Sequence, residues 1–456
     1  MNNNILKNND NIMFEPNTIL PSKVHEVISQ YMLADGFEFV LDLENSKGTK
    51  IIDAKTGIEY LDFFTFFASS ALGMNHPKLS SDSVKNELAN ASINKPSNSD
   101  IYTVQMAEFV ETFARLVKPD YMKHLFFVSG GTLAVENGLK VAFDWKVQKN
   151  FMKGIKEEKG HQVLHFKQAF HGRSGYTLSL TNTEPNKIKY FPKFNWPRVT
   201  NPKVKFPIED NLSEIIKLEN QAIEEINSAI KNNPDDIAVI ILEPIQGEGG
   251  DNFFRKEFFE KLRQIADENE ILLMFDEVQT GFGLTGKMWA SEYYVKPDII
   301  SFGKKAQVCG IMVSDRIDDV PENCFNKSSR INSTWGANLT DMVRSKHIME
   351  IIDEENLVEN AKEKGEYLLD NLYKIQNEFP NLISNARGLG LMCSFDFPDP
   401  KLRNEFREKC FNEKLLILGC GEKSIRFRPP LNVTKDALDE GLKIIKKVLF
   451  LLSTNN

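Results

Sequence analysis

ILLMFDEVQTGFGLTGKMWASEYYVKPDIISFGKK, residues 271–305, contains two apolar runs that each end in charged side chains. The first run precedes the carboxylate of Asp276, and the second precedes Gly303 and the amine of Lys304. Short runs that are wholly or mostly apolar are typical of strands that are buried on both faces of a parallel sheet. Because the carboxyl ends of parallel strands meet at one edge, we expect the carboxylate and the amine to lie close together there. In α/β sheets that edge is where ligands bind.

An amine and a carboxylate at such an edge suit one cofactor in particular, pyridoxal 5′-phosphate (PLP). This cofactor needs a lysine amine for a Schiff base and a carboxylate that keeps its ring nitrogen protonated, so that the ring can accept electrons. Lys304 and Asp276 are of the required types. An isolated aspartate and lysine would more simply form an ion pair at a strand end, so the rest of the chain has to decide between the two interpretations.

The composition is that of an ordinary globular enzyme. Among the 456 residues, 41% are hydrophobic and 26% are charged, and the formal net charge is -8. An acidic chain does not favour nucleic acid or an anionic membrane as its main partner, and no apolar run has the length needed to span a bilayer. The five cysteines form no CxxC pair and no His/Cys cluster, so we expect reduced thiols, a cytoplasmic location and no metal site.

Composition and the expected helices and strands divide the chain into four segments. Residues 1–20 are rich in Asn and lack the features of a targeting peptide, so we expect a disordered tail. Residues 21–75 form an N-terminal segment, residues 76–340 a large cofactor-binding domain, and residues 341–456 a small C-terminal domain.

Motifs spread over most of the chain carry a family resemblance. Besides FDEVQTGFGLTG and PDIISFGK, they are SSALGMNHP, NKPSNSD, LFFVSGGTLAVEN, FHGRSGYTLSLTNT, EPIQGEGG, FGKKAQVCG, NSTWGANLTDMVR and RFRPPL. The first two resemble the signature of the class III aminotransferases of PLP fold type I. The full set resembles one branch of that class, the L-lysine 6-aminotransferases, and it covers the chain from about residue 21 to the last helix.

The resemblance implies an α/β fold. It places a mostly parallel, seven-stranded sheet in the large PLP-binding domain, and it builds a smaller α+β domain from the C-terminal part together with the N-terminal segment. It also implies a homodimer in which the active sites are shared across the interface.

The ring end of the cofactor is assigned by the resemblance to residues of the opening stretch. Lys304 would form the Schiff base and then act as the base that moves a proton. Asp276 would keep the ring nitrogen protonated, and Gln279 would bind the phenolic oxygen. The gap from Asp276 to Lys304 is one residue shorter than is usual in the class. The interval within PDIISFGK nevertheless favours Lys304, and Lys305 remains the alternative.

A strand, two glycines and a helix start within residues 125–137 predict a phosphate cradle. The free N–H groups and the positive end of the helix would hold the anion through Gly131 and Thr132. By the resemblance, Phe170 stacks on the pyridine ring and Glu243 supports the cofactor network. Thr334 reaches across the dimer interface to the phosphate in the neighbouring subunit.

Substrate binding is assigned to a second group of residues by the resemblance. Arg426 would bind the α-carboxylate, with Arg428 as the alternative, and Asn332 would lie near the substrate. Arg173 would hold the distal carboxylate of 2-oxoglutarate, because a guanidinium binds a carboxylate with two parallel hydrogen bonds. Glu248 would cover Arg173 while lysine is bound and would move away for 2-oxoglutarate.

These assignments imply a ping-pong transamination that moves the ε-amino group of L-lysine to 2-oxoglutarate and yields 2-aminoadipate 6-semialdehyde and L-glutamate. Phe66 and Phe67 are open to two interpretations, the substrate entrance or the core, and His171 is interpreted as structural. Three alternatives remain for the activity. They are another ω-aminotransferase that acts on ornithine, acetylornithine or 4-aminobutyrate, a PLP-dependent decarboxylase or 1,2-aminomutase, and a catalytically silent scaffold.

Overall fold

A seven-stranded sheet forms the centre of the computed structural model, which describes residues 19–454. Except for Ile19 and Leu20, the tail predicted for residues 1–20 lies outside the described residues. The strands are β1 (Lys50–Ile52), β2 (Glu59–Asp62), β3 (Met122–Val128), β4 (Gln162–Phe166), β5 (Arg198–Val199), β6 (Ile237–Leu242), β7 (Leu272–Asp276), β8 (Ile299–Phe302), β9 (Cys309–Ser314), β10 (Ser384–Leu389), β11 (Met392–Asp396), β12 (Leu415–Leu416), β13 (Leu418–Cys420) and β14 (Ser424–Phe427).

Helices cover this sheet and connect its strands. They are α1 (Val24–Ser29), α2 (Thr65–Ala68), α3 (Asp82–Ile93), α4 (Val104–Leu116), α5 (Gly131–Met152), α6 (Gly175–Leu180), α7 (Ile208–Asn232), α8 (Lys256–Glu268), α9 (Leu339–Glu354), α10 (Leu357–Glu378), α11 (Pro400–Asn412) and α12 (Lys435–Thr454). Within residues 19–454, no helix combines the length and the apolar character that a membrane crossing requires.

The strand order of the large sheet is β3-β9-β8-β7-β6-β4-β5. β9 runs antiparallel to both of its neighbours, and the pairs from β8 to β5 are all parallel. The sheet is therefore mostly parallel and seven-stranded, which confirms the predicted fold class.

The central strands are buried because they carry almost no polar side chains. Every residue of β6, β7 and β8 is buried. In the register between β7 and β8, Asp276 lies opposite Ser301, which is followed closely by Lys304. The two apolar runs of the opening stretch therefore end at the same edge of the sheet, as predicted.

Side chains of β7 alternate between two helix-covered faces. On one face, Met274 packs with Leu139 of α5 and Ile299 of β8. On the other face, Phe275 packs with Phe259 of α8. This arrangement fixes the direction of β7, and with it the position of the carboxylate at its end.

Two smaller sheets bring distant parts of the chain together. β10, β11, β14 and β13 form an antiparallel sheet, while β2 pairs antiparallel with β1 and parallel with β12. The antiparallel sheet contacts the loop after β7, where the N–H of Leu391 donates to the carbonyl of Leu284 at 2.9 Å. The domain boundaries at residues 75/76 and 340/341 stay predictions.

The short helix α2 is a left-handed turn. All four residues of Thr65–Ala68 have positive φ, between 43° and 66°. This conformation costs roughly 1–2 kcal/mol per non-glycine residue because Cβ crowds the following carbonyl, so tertiary contacts must hold the turn. Asp62 Oδ1 accepts the N–H groups of Phe64 and Thr65 at 2.8 Å, and Thr65 Oγ1 donates to the carbonyl of Arg428 at 2.7 Å.

Candidate active site

Lys304 follows β8 after the single residue Gly303, and its amine is uncommitted. Its Nζ has no hydrogen bond and no ion pair with any of residues 19–454. The neighbouring Lys305 is only 1% exposed, and its Nζ donates to the carbonyl of Ala68 at 2.8 Å. Since one amine is bound to the backbone and the other is not, these contacts support Lys304 rather than Lys305 as the reactive lysine.

The surroundings of Lys304 lower the pKa of its ammonium group. Burial, followed by the positive charges of Arg426 and Arg428, brings this pKa from 10.5 to about 8. Glu243 and Glu248 act in the opposite direction but do not outweigh these effects. A lower pKa leaves more of the free amine near neutral pH, and the free amine is the form that attacks a carbonyl group.

Asp276, at the end of β7, is buried and fixed by two hydrogen bonds. His171 Nδ1 donates to Oδ2 at 2.8 Å, and the N–H of Val278 donates to Oδ1 at 3.1 Å. His171 is itself buried, and its Nε2 has no partner in the described part of the chain. The structural interpretation of His171 was therefore incomplete, because its ring orients the carboxylate that is assigned to the cofactor.

Glu243 fixes the loop that carries Phe170. Its Oε1 accepts the N–H of Phe170 and its Oε2 accepts the N–H of Gly247, each at 3.0 Å. Burial raises the pKa of Glu243 to about 7; His171 opposes this rise and Asp276 adds to it. These contacts agree with the supporting role predicted for Glu243, since they position the aromatic residue next to the sheet edge.

Gln279 is oriented by Arg428. Nε and Nη2 of Arg428 donate to Gln279 Oε1 at 3.2 and 3.0 Å, and Nη2 also lies 2.5 Å from Asp251 Oδ1. Because Oε1 accepts both bonds, the NH₂ group of Gln279 remains as its donor, which suits the predicted contact with a phenolic oxygen. Arg428 is engaged in these contacts, which leaves Arg426 as the arginine for a substrate carboxylate.

Glycines allow the start of α5 and the end of β8 to approach Val278, which follows β7. α5 begins at Gly131, and the first N–H groups of a helix have no partner within the helix. A Cβ at Gly131 would lie 3.0 Å from Val278 Cγ1, and one at Gly303 would lie 3.5 Å from the same atom. Thr132 Oγ1 accepts the N–H of Arg173 at 3.2 Å. The predicted cradle thus lies beside the ends of β7 and β8.

Glu248 does not pair with Arg173, so that part of the prediction was wrong. Glu248 Oε2 lies 3.1 Å from Arg426 Nη1, and its Oε1 accepts a hydrogen bond from Lys187 Nζ at 2.7 Å. Burial would raise the pKa of Glu248, but Arg426 and Lys187 hold it below its ordinary value. Arg173 is exposed and forms no ion pair within residues 19–454. The carboxylate of Glu248 therefore covers Arg426 and not Arg173.

Asn332 and Thr334 lie exposed on the surface of this chain. The carbonyl of Thr334 accepts a hydrogen bond from Ser97 Oγ at 2.6 Å, and Asn332 Oδ1 accepts the N–H of Ser333 at 2.7 Å. Within residues 19–454, neither side chain bonds to the residues at the sheet edge. These are the two predicted site residues that a single chain does not bring to the site.

The residues at the edge fit PLP in their chemistry. The uncommitted amine, the oriented carboxylate and the amide donor match the aldehyde, the ring nitrogen and the phenolic oxygen of the cofactor. The free N–H groups at the start of α5 match its phosphate. Gly303 lets the Lys304 segment lie close to the start of β9, since a Cβ there would lie 2.8 Å from Cys309 Sγ.

We expect Lys304 in the cofactor-free protein to react with trinitrobenzenesulfonate with a midpoint at about pH 8. Burial and the two nearby arginines are the reason, whereas an ordinary exposed lysine has a midpoint near pH ~10.4. Mass spectrometry of peptides modified over a pH series measures both kinds of lysine in one sample. A midpoint for Lys304 equal to that of the exposed lysines would contradict the proposed environment.

The comparison with known proteins agrees with this geometry. A sequence model of the family described as Aminotransferase class-III matches residues 32–449. A protein of Mycobacterium tuberculosis named L-lysine-epsilon aminotransferase is 50% identical over 431 residues, which are 94% of this chain and 96% of that protein. A protein of the same name from Streptomyces clavuligerus is 46% identical over 427 residues, with 92% and 93% of the two chains covered.

A solved structure also matches nearly the whole chain. The structure of lysine aminotransferase from M. tuberculosis in the internal aldimine form has a TM-score of 0.93 and 49% identity, and the match covers 95% of this chain and 100% of that chain. Human mitochondrial 4-aminobutyrate aminotransferase is more distant, at 32% identity with 87% of this chain and 82% of that protein covered. Because these matches span nearly the whole chain, including the amine, the carboxylate and the cradle at one sheet edge, the chain belongs to the PLP-dependent class III aminotransferases.

Proposed function

We propose that the chain is an L-lysine 6-transaminase. It transfers the ε-amino group of L-lysine to 2-oxoglutarate and yields 2-aminoadipate 6-semialdehyde and L-glutamate. The observation that carries the proposal is the uncommitted amine of Lys304 at the sheet edge where β7 ends in Asp276, in a chain that is 50% identical to a protein named L-lysine-epsilon aminotransferase.

Lys304 is the residue that forms and breaks a covalent bond and moves a proton. PLP, when bound, supplies an aldehyde for an amine and a ring that accepts electrons. Nζ of Lys304 would be the base that takes a proton from the reacting carbon of the substrate. Its pKa of about 8 leaves part of the amine unprotonated at neutral pH, as this role requires. Asp276, oriented by His171, keeps a proton on the ring nitrogen.

Arg426 suits the binding of 2-oxoglutarate better than that of lysine. It contributes to the lowered pKa of Lys304, so it lies near the reacting amine. In 2-oxoglutarate the reacting carbon carries a carboxylate, whereas the ε-carbon of lysine carries none. We therefore assign Arg426 to the α-carboxylate of 2-oxoglutarate, and the exposed Arg173 to the carboxylate at the far end of either substrate.

Glu248 would then select between the two half-reactions. While lysine reacts, its carboxylate neutralises Arg426 and leaves no bare cation beside the uncharged chain of the substrate. When 2-oxoglutarate binds, Glu248 has to leave Arg426, and Lys187 offers it a second cationic partner. These assignments replace two predictions from the sequence, namely that Arg426 binds the α-carboxylate of lysine and that Glu248 covers Arg173.

We also propose a homodimer. Asn332 and Thr334 belong to an exposed polar loop, and the adjacent Trp335 is 42% exposed. A large exposed aromatic ring next to polar groups is typical of an interaction site. A second copy that covers this loop would place the hydroxyl of Thr334 at the phosphate of the neighbouring site, as the family resemblance implies.

A cytoplasmic location is part of the same proposal. All five cysteines are free thiols, which suits a reducing compartment.

L-Lysine labelled with nitrogen-15 at the ε position is expected to pass the label to glutamate, and lysine labelled at the α position is not. The experiment incubates the PLP-loaded enzyme with 2-oxoglutarate and analyses glutamate by mass spectrometry. Ornithine, which is one methylene shorter, should react with a kcat/KM lower by about tenfold or more.

The control for this experiment is Lys304→Ala, which should show no turnover although Asp276 and the cradle are intact. Transfer of the α-nitrogen would contradict the proposed regiochemistry. A stronger activity with ornithine or 4-aminobutyrate would favour another ω-aminotransferase, and release of CO₂ would favour a decarboxylase.

Glu248→Gln should shift the enzyme from lysine towards glutamate. A neutral amide no longer neutralises Arg426, so a carboxylate next to the reacting carbon gains a charge-assisted hydrogen bond of about 1.5–3 kcal/mol. We expect the ratio of kcat/KM for glutamate to kcat/KM for lysine to rise by roughly tenfold or more. Separate measurement of the two half-reactions by stopped-flow absorbance gives the ratio, and an unchanged ratio would rule out the selecting role of Glu248.

A further inference from the structure

Lys305, the residue after the reactive lysine, is buried and binds the backbone of another segment. Lys305 is 1% exposed, and its Nζ donates to the carbonyl of Ala68 at 2.8 Å. It has no ion pair within residues 19–454, and burial together with the charges of Arg428 and Lys304 lowers its pKa well below the ordinary value. A buried amine without a carboxylate partner is costly, so this position calls for an explanation beyond charge pairing.

Ala68 is the last residue of the left-handed turn α2. Lys305 donates to the carbonyl of Ala68, the last residue of the turn, and Gln307 Nε2 donates to the carbonyl of the next residue, Ser69, at 2.8 Å. The segment after Lys304 thus binds two consecutive carbonyls where the turn ends. The third anchor is the bond from Thr65 to the carbonyl of Arg428. The turn is thus attached to the segments that carry the reactive lysine and the substrate arginine.

The turn presents two aromatic side chains. Phe66 and Phe67 immediately precede Ala68, Phe67 is 56% exposed, and Phe64 packs against both rings at centroid distances of 6.0 and 4.8 Å. An exposed aromatic surface tied to the Lys304 segment suits the apolar methylene chain of a long amine substrate.

We propose that Lys305 is a positioning residue for amine selectivity: its buried amine holds the left-handed turn against the Lys304 segment and so fixes Phe66 and Phe67 beside the side chain of the substrate. The proposal rests on the lysine transaminase activity proposed above. It assigns Lys305 an indirect role, since its Nζ is bound to the backbone.

A second buried lysine provides a matched control. Lys146 of α5 is also 1% exposed, and its Nζ donates to the carbonyls of Glu270 and Asn269 at 2.8 and 3.4 Å without an ion pair among the described residues. Its bonds reach the residues after α8 and not the active-site turn. Lys146→Met therefore removes the same kind of buried amine but leaves the contacts of the turn Thr65–Ala68 unchanged.

The test compares Lys305→Met with Lys146→Met in the PLP-loaded enzyme. We expect Lys305→Met to lower kcat/KM for lysine by about tenfold, mainly through KM, and to affect the glutamate half-reaction much less. Hydrogen exchange of residues 61–73 should become faster in Lys305→Met only. Lys146→Met should leave both the substrate ratio and this exchange unchanged, whatever its effect on thermal stability.

A rescue variant distinguishes a loosened turn from a general loss of stability in Lys305→Met. Glycine adopts a positive φ without a steric penalty, so Ala68→Gly added to Lys305→Met should restore part of the lysine preference. If Lys305→Met does not fold, Gln307→Met, which removes the neighbouring bond to Ser69, should change the ratio and the exchange in the same direction.

Two results would overturn the proposal. One is an unchanged substrate ratio in Lys305→Met with normal exchange of residues 61–73, and the other is an equal change of the ratio in Lys146→Met. Failure of the proposed function is distinguishable, because it would appear as a wild-type enzyme that does not transaminate lysine at all.

Discussion

The site depends on charged groups held at the end of a buried sheet, where water contributes little to their solvation. Asp276 is the last residue of β7, Lys304 comes two residues after β8, and every residue of both strands is buried. An unpaired charge in such a place is strongly disfavoured, so each needs compensation from its neighbours. His171 provides it for Asp276 through a hydrogen bond of 2.8 Å. Lys304 instead has no such partner in the described part of the chain, and burial, followed by the positive charges of two nearby arginines, lowers its pKa to about 8. A lysine in this state is chemically useful because both of its protonation states are populated near neutral pH.

Arg428 joins the three parts of the chain that build the site. Its guanidinium contacts Gln279, after the central strand β7, and Asp251, in the loop that also carries Glu248. Its carbonyl accepts the hydroxyl of Thr65 in the N-terminal turn. The C-terminal sheet thus supplies both the substrate arginine and the residue that orients the amide donor. This explains why motifs far apart in the sequence have to be present together for one active site.

Much of the fold could be predicted from the sequence, because short apolar runs that end in charged residues are a local signal. The parallel strands β6 to β8 and the order of strand, glycines and helix in residues 125–137 follow from patterns that lie within a few residues of each other. Pairings between distant side chains carry no such signal. The pairing of Glu248 with Arg426 was missed for this reason, and so was the contact of Lys187, which belongs to an irregular stretch. The left-handed turn Thr65–Ala68 was missed as well, because its residues are ordinary ones whose conformation is imposed by tertiary contacts.

The most direct measurement is the position of the covalent adduct in the PLP-loaded enzyme. Reduction with sodium borohydride fixes the cofactor to its lysine, and peptide mass spectrometry then locates it. We expect a pyridoxyl group on Lys304 alone, with Lys305 unmodified because its amine is bound to the backbone of the turn. An adduct on Lys305, or a protein that takes up PLP without any lysine adduct, would contradict this assignment.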